Sequence, residues 1–168
     1  MASILPFGRK KPKNAPAPQG TMSAFLNNFS IEVMPRTAEK IADFRTILQE
    51  GTRVYVAHID GTPIDDMVAT AKRITEEGFP VMPHFPARII QDAAMLENWI
   101  GRYKDVGVSQ ALLLAGGVDQ PRGDFHSSMQ LMETGLFDKH GFARLHVAGH
   151  PEGNKDIDPK GGDAVVMD

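Results

Sequence analysis

Five places in this 168-residue chain pair an apolar run with a group able to do chemistry. Glu32 sits inside "FSIEVM", His58 ends "VYVAH", His84 follows "VMP", Gly116-Gly117 follow "ALLLA", and His150 follows "HVAG". A carboxyl shielded from water has its pKa raised and becomes a general acid near neutral pH. Imidazoles accept, donate or relay protons in the same range. A glycine pair exposes backbone to a ligand. Alternation sets Phe29, Ile31 and Val33 on one face of the first run and Ser30, Glu32 and Met34 on the other. Glu32 therefore lies within a strand and not in the loop beyond it.

The elements that position these groups follow a strand–helix rhythm. Strands are expected at Phe29–Met34, Val54–Ile59, Phe79–Phe85, Gln110–Ala115 and Arg144–His150. Helices are expected at Ala38–Gln49, with Ile41, Phe44 and Leu48 at helical spacing, and from Thr62 to Glu77 behind a Thr62-Pro63-Ile64-Asp65 capping box. Two more are expected at Gln91–Asp105 and Ser127–Lys139. Leu96, Trp99, Ile100 and Tyr103 form the apolar stripe of the third. "HSS" at 126–128 caps the fourth, and "GGDAVVMD" reads as a helix beginning. Strict alternation implies a parallel sheet with crossover helices, an α/β chain of the (β/α)8 TIM-barrel type holding about the first five units. A doubly wound sheet is the other architecture. The first strand–helix turn, "MPRT", lacks the glycine cradle a dinucleotide-binding sheet carries there. In a barrel, functional side chains gather at the C-terminal strand ends, where Glu32, His58, His84, Gly116 and His150 all fall.

Composition sets outer limits. The chain is 42% hydrophobic and 23% charged with net charge −3, which supports a packed core and gives no reason to expect nucleic acid or an anionic membrane as partner. It has no cysteine, which removes disulfides, zinc–thiolate sites, iron–sulfur clusters and thiol catalysis. No apolar run has the length of a membrane helix. Arg9, Lys10, Lys11, Lys13 and four prolines stand without an acid in residues 1–20, so 1–27 reads as a flexible basic tail and 28–168 as the N-terminal part of a barrel. A cytoplasmic location is expected.

Four stretches, in order, resemble the methylenetetrahydrofolate reductase family: "SIEVMPRT" (30–37), "MPHFPAR" (82–88), "YKDVGVSQALLLAGG" (103–117) and "HVAGHPEGNKD" (146–156). The resemblance spans about residues 28 to 168. It implies a barrel carrying FAD on its C-terminal face. It also implies reduction of 5,10-methylenetetrahydrofolate to 5-methyltetrahydrofolate with NAD(P)H, a step of one-carbon metabolism. Glu32 matches the proton donor that opens the folate's five-membered ring. His84 matches a histidine beside the flavin, and Leu114 and Gly116 the backbone beneath it. Ala148 and His150 match the fifth-strand end, and Asp163 an acid at the next helix start.

The sequence also departs from the family. Ala115 and Gly117 stand where the family has arginine and aspartate, "VAHID" replaces a Thr-Tyr-Gly strand end, and Asn154 replaces a histidine. A full-length homo-oligomer is implied, and a chain of five units is expected to be a fragment with open sheet edges. No metal site is implied. Two other readings stay open. One is a degenerate folate- or flavin-binding module without catalysis. The other is a metal-dependent barrel hydrolase using Glu32, His58, Asp60, His84, His146 and His150 as N/O ligands.

Overall fold

The structure, a computed structural model, describes residues 28–149. The tail expected over 1–27, the helix start at "GGDAVVMD", and the site residues His150 and Asp163 lie outside the described residues.

Five parallel strands form one sheet in the order of the sequence. These are β1 (Ser30–Val33), β2 (Arg53–Val56), β3 (Val81–Pro86), β4 (Gln110–Leu114) and β5 (Arg144–Val147). Doubly wound sheets reverse their strand order at a switch point. No such reversal occurs among the described strands, and the order is compatible with part of a β/α barrel. Among the described residues no helix is long and apolar enough to cross a membrane.

The connections are α1 (Pro35–Ala38), α2 (Ile64–Glu76), α3 (Ala93–Asp105), α4 (Ser128–Glu133) and α5 (Leu136–Lys139), with 3₁₀ turns at Phe44–Thr46 and Ala87–Ile89. Val33, Val54, Val56, Val81, Phe85, Ala111 and Leu113 turn one sheet face toward Met67, Ala71, Ile74, Leu96, Trp99, Ile100, Leu131 and Phe137 of the helices. Each fully buried valine, leucine, isoleucine, methionine or phenylalanine among them contributes about 1.5–3 kcal/mol by leaving water. Phe85 is central, with ring contacts to Trp99, Tyr103, Phe137 and Phe142. The expected apolar stripe of α3 is therefore the part that packs.

Several expected elements differ. The helix expected over Ala38–Gln49 is replaced by α1 and a 3₁₀ turn. The apolar residues of that pattern still bury, Phe44 completely and Ile41 and Leu48 in part. Their backbone is held from a distance: Arg73 of α2 donates to the carbonyls of Ala38 and Ile41, and Glu77 accepts from the Phe44 N–H at 2.7 Å. The capping box expected before α2 does not form, because Pro63 is the N-cap and no side chain caps it. Ser127 does cap α4, and Gln130 bonds back to the Ser127 and His126 N–H groups. The single helix expected over Ser127–Lys139 breaks at Gly135 into α4 and α5. The second and fifth strands end earlier than expected, at Val56 and Val147.

Candidate functional site

The second sheet face is mixed and carries ionisable groups among Met82, Leu112 and Leu114. Register pairs Glu32 with Tyr55 and Tyr55 with Met82, while His84 pairs with Leu112 and Leu112 with His146. Side chains of paired parallel residues share a face, so Glu32, Arg53, Tyr55, Met82, His84, Gln110 and His146 all lie opposite the helices. This gives the expected side for Glu32 but not the expected surroundings. Its side chain is 58% exposed, so the shielding from water expected for it is not present among the described residues.

Glu32 reaches His84, two strands away, with Oε2 3.1 Å from Nε2. The contact is off the N–H axis, an ion-pair distance rather than an aligned hydrogen bond, and Nε2 is otherwise sealed from water without a partner. Burial holds the His84 pKa below its ordinary value, Glu32 opposes that, and His58 adds to it. His84 lies inside β3 and not at its end.

The two side chains open into a cleft of about 380 Å³ at the C-terminal ends of β1 to β4. Its walls are Ala57, Pro86, Ile89, Leu114 and Val118, with His58, Asp60, Gly116 and Gly117 completing the rim. His58 lies two residues beyond β2 and stacks on Trp99 at 4.9 Å between centroids. Its Nε2 lies 3.0 Å from the Thr62 carbonyl, which makes Nε2 the protonated nitrogen. Burial lowers its pKa, against smaller opposing effects of the Thr62 carbonyl and Asp60.

Gly116 turns the chain out of β4 with φ +96°, where glycine is favoured, and a Cβ there would meet the Pro86 Cβ at 3.0 Å. The loop that follows is tied to the segment after β3. Arg88 N–H donates to Ala115 O at 2.9 Å, Arg88 Nη1 to Val118 O at 3.1 Å, and Arg122 N–H to Arg88 O at 2.8 Å. Arg122 also pairs with Asp60 at 2.6 Å, which bridges the loops after β4 and β2 beside the cleft.

Of the expected site residues, Glu32, His84, Leu114, Gly116 and Gly117 line this cleft. Ala115 is half-buried with its carbonyl engaged by Arg88, and Ala148 is exposed just beyond β5, outside the cleft lining. Tyr55 was missed. Its hydroxyl lies 2.8 Å from His146 Nδ1, and its ring stands edge-on to His84 at 6.3 Å. The alternation Arg53, Tyr55, Ala57 in "RVYVA" carried the signal, since it puts Tyr55 on the Glu32 side. Among the described residues no group of three or more histidine, aspartate or glutamate side chains is arranged to hold a metal ion, so the ligand set Glu32, His58, Asp60, His84 and His146 does not assemble.

The cleft presents an apolar wall, the exposed carboxyls of Glu32 and of Asp60, the latter paired with Arg122, and the buried imidazole of His84. No family model matches the chain.

Proposed function

We propose that this protein is a flavin-dependent reductase of the methylenetetrahydrofolate reductase type, built on a (β/α)8 barrel. One observation carries the reading: Glu32, His84, Leu114 and Gly116 meet in one cleft at the C-terminal strand ends. They stand on three different strands and the turn after β4, and they are the residues the family resemblance assigns to one active site.

The fit to FAD divides between its two halves. A cleft of about 380 Å³ with walls of Ala57, Pro86, Ile89, Leu114 and Val118 suits a planar conjugated ring. The diphosphate finds no lysine or arginine among the cleft-lining residues. The ring is therefore the part that these residues would hold. A bound flavin supplies hydride transfer from NAD(P)H to the folate carbon. The Leu114–Gly116 backbone would lie under the ring and His84 beside it. Glu32 would give its proton to the folate nitrogen that leaves as the five-membered ring opens. A cytoplasmic location and a homo-oligomeric state belong to the same reading.

The second reading, a binding module without catalysis, is favoured by the cation-free cleft lining and by Ala115 and Gly117 in place of arginine and aspartate. One experiment separates them. The protein is titrated with FAD by absorbance, and NAD(P)H oxidation is followed with and without methylenetetrahydrofolate. The reductase binds flavin, and Glu32→Gln lowers folate reduction by about 100-fold or more while sparing the nicotinamide-to-flavin step. A colourless protein that binds folate without turnover is the binding module. Loss of both half-reactions together in Glu32→Gln makes Glu32 structural.

A further inference from the structure

The contact between Glu32 and His84 crosses a strand. β2 lies between β1 and β3, so the two residues are not sheet neighbours. Continuing the register beyond the paired residues sets Ala57 beside Met34 on one side and His84 on the other, on the face that Glu32 and Tyr55 share. The Ala57 N–H donates to Val33 O at 2.8 Å, which fixes that position against β1. Ala57 is 3% exposed and lines the cleft. Its side chain is small, where Tyr55, two residues earlier on the same face, is large.

Only one of the Glu32 oxygens is engaged. Oε2 lies against His84 Nε2, and no hydrogen bond among the described residues reaches Oε1, on a side chain that is more than half exposed. His84 has little freedom, being 8% exposed in a strand buried at every position. A fixed imidazole therefore meets a carboxyl that is more than half exposed and belongs to a residue lining the cleft.

We propose that His84 is a positioning residue for Glu32: its Nε2–H holds Oε2, Oε1 is left as the oxygen that exchanges a proton with a molecule in the cleft, and Ala57 is the gap through which the two meet. The proposal rests on the reading of Glu32 as an acid. In the transfer, the Oε1–H bond breaks as the proton passes to a basic nitrogen of the ligand, and the carboxylate left behind keeps the Nε2–H of His84. Water returns the proton to Oε1 after the ligand leaves. Catalytic hydrogen bonds tighten in the Michaelis complex, and the 3.1 Å contact of Nε2 with Oε2 needs only a reorientation of the exposed carboxyl to become one. The other groups facing His84 are the Tyr55 ring from β2, with His146 behind its hydroxyl, and His58 and Asp60 from the loop after β2. The β4 side contributes Leu114, Gly116, Gly117 and Val118, none of which titrates.

The test is long-range ¹H–¹⁵N NMR of the protein labelled at histidine, with His84 assigned by the signals lost in His84→Gln. The expected result is an Nε2–H tautomer for His84, and a titration midpoint that moves down in Glu32→Gln, because the carboxylate favours the imidazolium. Ala57→Val should move the midpoint the same way while keeping Glu32. If circular dichroism shows that Ala57→Val does not fold, Glu32→Gln decides alone. An unchanged midpoint in Glu32→Gln, or a bare Nε2 with the proton on Nδ1, overturns the proposal. The outcome is independent of the reductase reading. A protein that takes up no flavin yet shows the shift keeps the pair, and one that binds flavin without the shift loses it.

Discussion

The imidazole of His58 lies stacked on the indole of Trp99, with centroids 4.9 Å apart and planes inclined by 29°. The stack joins the loop after β2 to α3, and His58 also lines the cleft. Because burial lowers the His58 pKa, and that of His84 for the same main reason, both rings hold a proton less readily in the folded protein than in the unfolded chain. The unfolded chain takes up these protons near the ordinary histidine value of 6.5. Below that value the unfolded state binds more protons, so stability falls as pH drops through it and goes on falling until the folded rings protonate. Urea midpoints measured at about pH 5 and about pH 7.5 should show the loss. His58→Phe keeps an aromatic stack without a titrating nitrogen and should flatten the dependence. An identical pH slope in that variant would remove His58 as a cause.

Gly123 and Gly101 should respond oppositely to alanine. A Cβ at Gly123 would lie 1.9 Å from the Gln91 carbonyl oxygen, and the neighbouring Asp124 N–H is bonded to that same oxygen at 2.9 Å. The loop has to move, at a cost of about 1–3 kcal/mol. Gly101 lies inside α3 with nothing within 4 Å of its Cβ position. Gly101→Ala should add about 0.5–1 kcal/mol through helix propensity. Thermal denaturation of the two variants checks the sign of each.

Asp60 and Arg122 make a contact of 2.6 Å with side chains 40% and 53% exposed. Exposed pairs of this kind contribute roughly 0–1 kcal/mol and are screened by salt. Arg122→Ala should therefore leave the denaturant midpoint nearly unchanged. Its effect should appear in the loops beside the cleft, as faster amide hydrogen exchange at residues 118–124 with the rest of the sheet unaffected. A large drop in global stability would show that the pair holds more than the two loops.

The Tyr103 hydroxyl is buried without a hydrogen-bond partner among the described residues, and burial pushes its pKa up. The ring itself is fully buried against Phe85. Removing a polar atom that has no partner while keeping the ring relieves a desolvation cost of about 1–3 kcal/mol. Tyr103→Phe should be neutral or stabilising in chemical denaturation. A loss of stability would mean the hydroxyl has a partner such as a buried water.

Much of the fold could be read directly from residue order. Apolar runs of strand length separated by amphipathic stretches give five parallel strands, and Leu96, Trp99, Ile100 and Tyr103 name the packed stripe of α3. The stretch 38–49 shows where such reading stops. Ile41, Phe44 and Leu48 have helical spacing, but the same three side chains bury from an irregular backbone once Arg73 and Glu77 take up its polar groups. A helix's own hydrogen bonds are local, whereas these come from more than thirty residues away, and no pattern inside 38–49 reports them.

The site divides in the same way. The sequence by itself determined that Glu32 shares a strand face away from Ile31 and Val33 and that glycines follow β4, because side-chain alternation and turn chemistry are local rules. Only the tertiary structure decided that Glu32 meets His84 across an intervening strand, that His84 lies inside β3, that His58 stacks on Trp99, and that Tyr55 belongs to the same face. Those relations depend on the register of three strands and on the loops that cross above them. Register is fixed when the helices bury the opposite face, a property of the whole sheet and of no single segment.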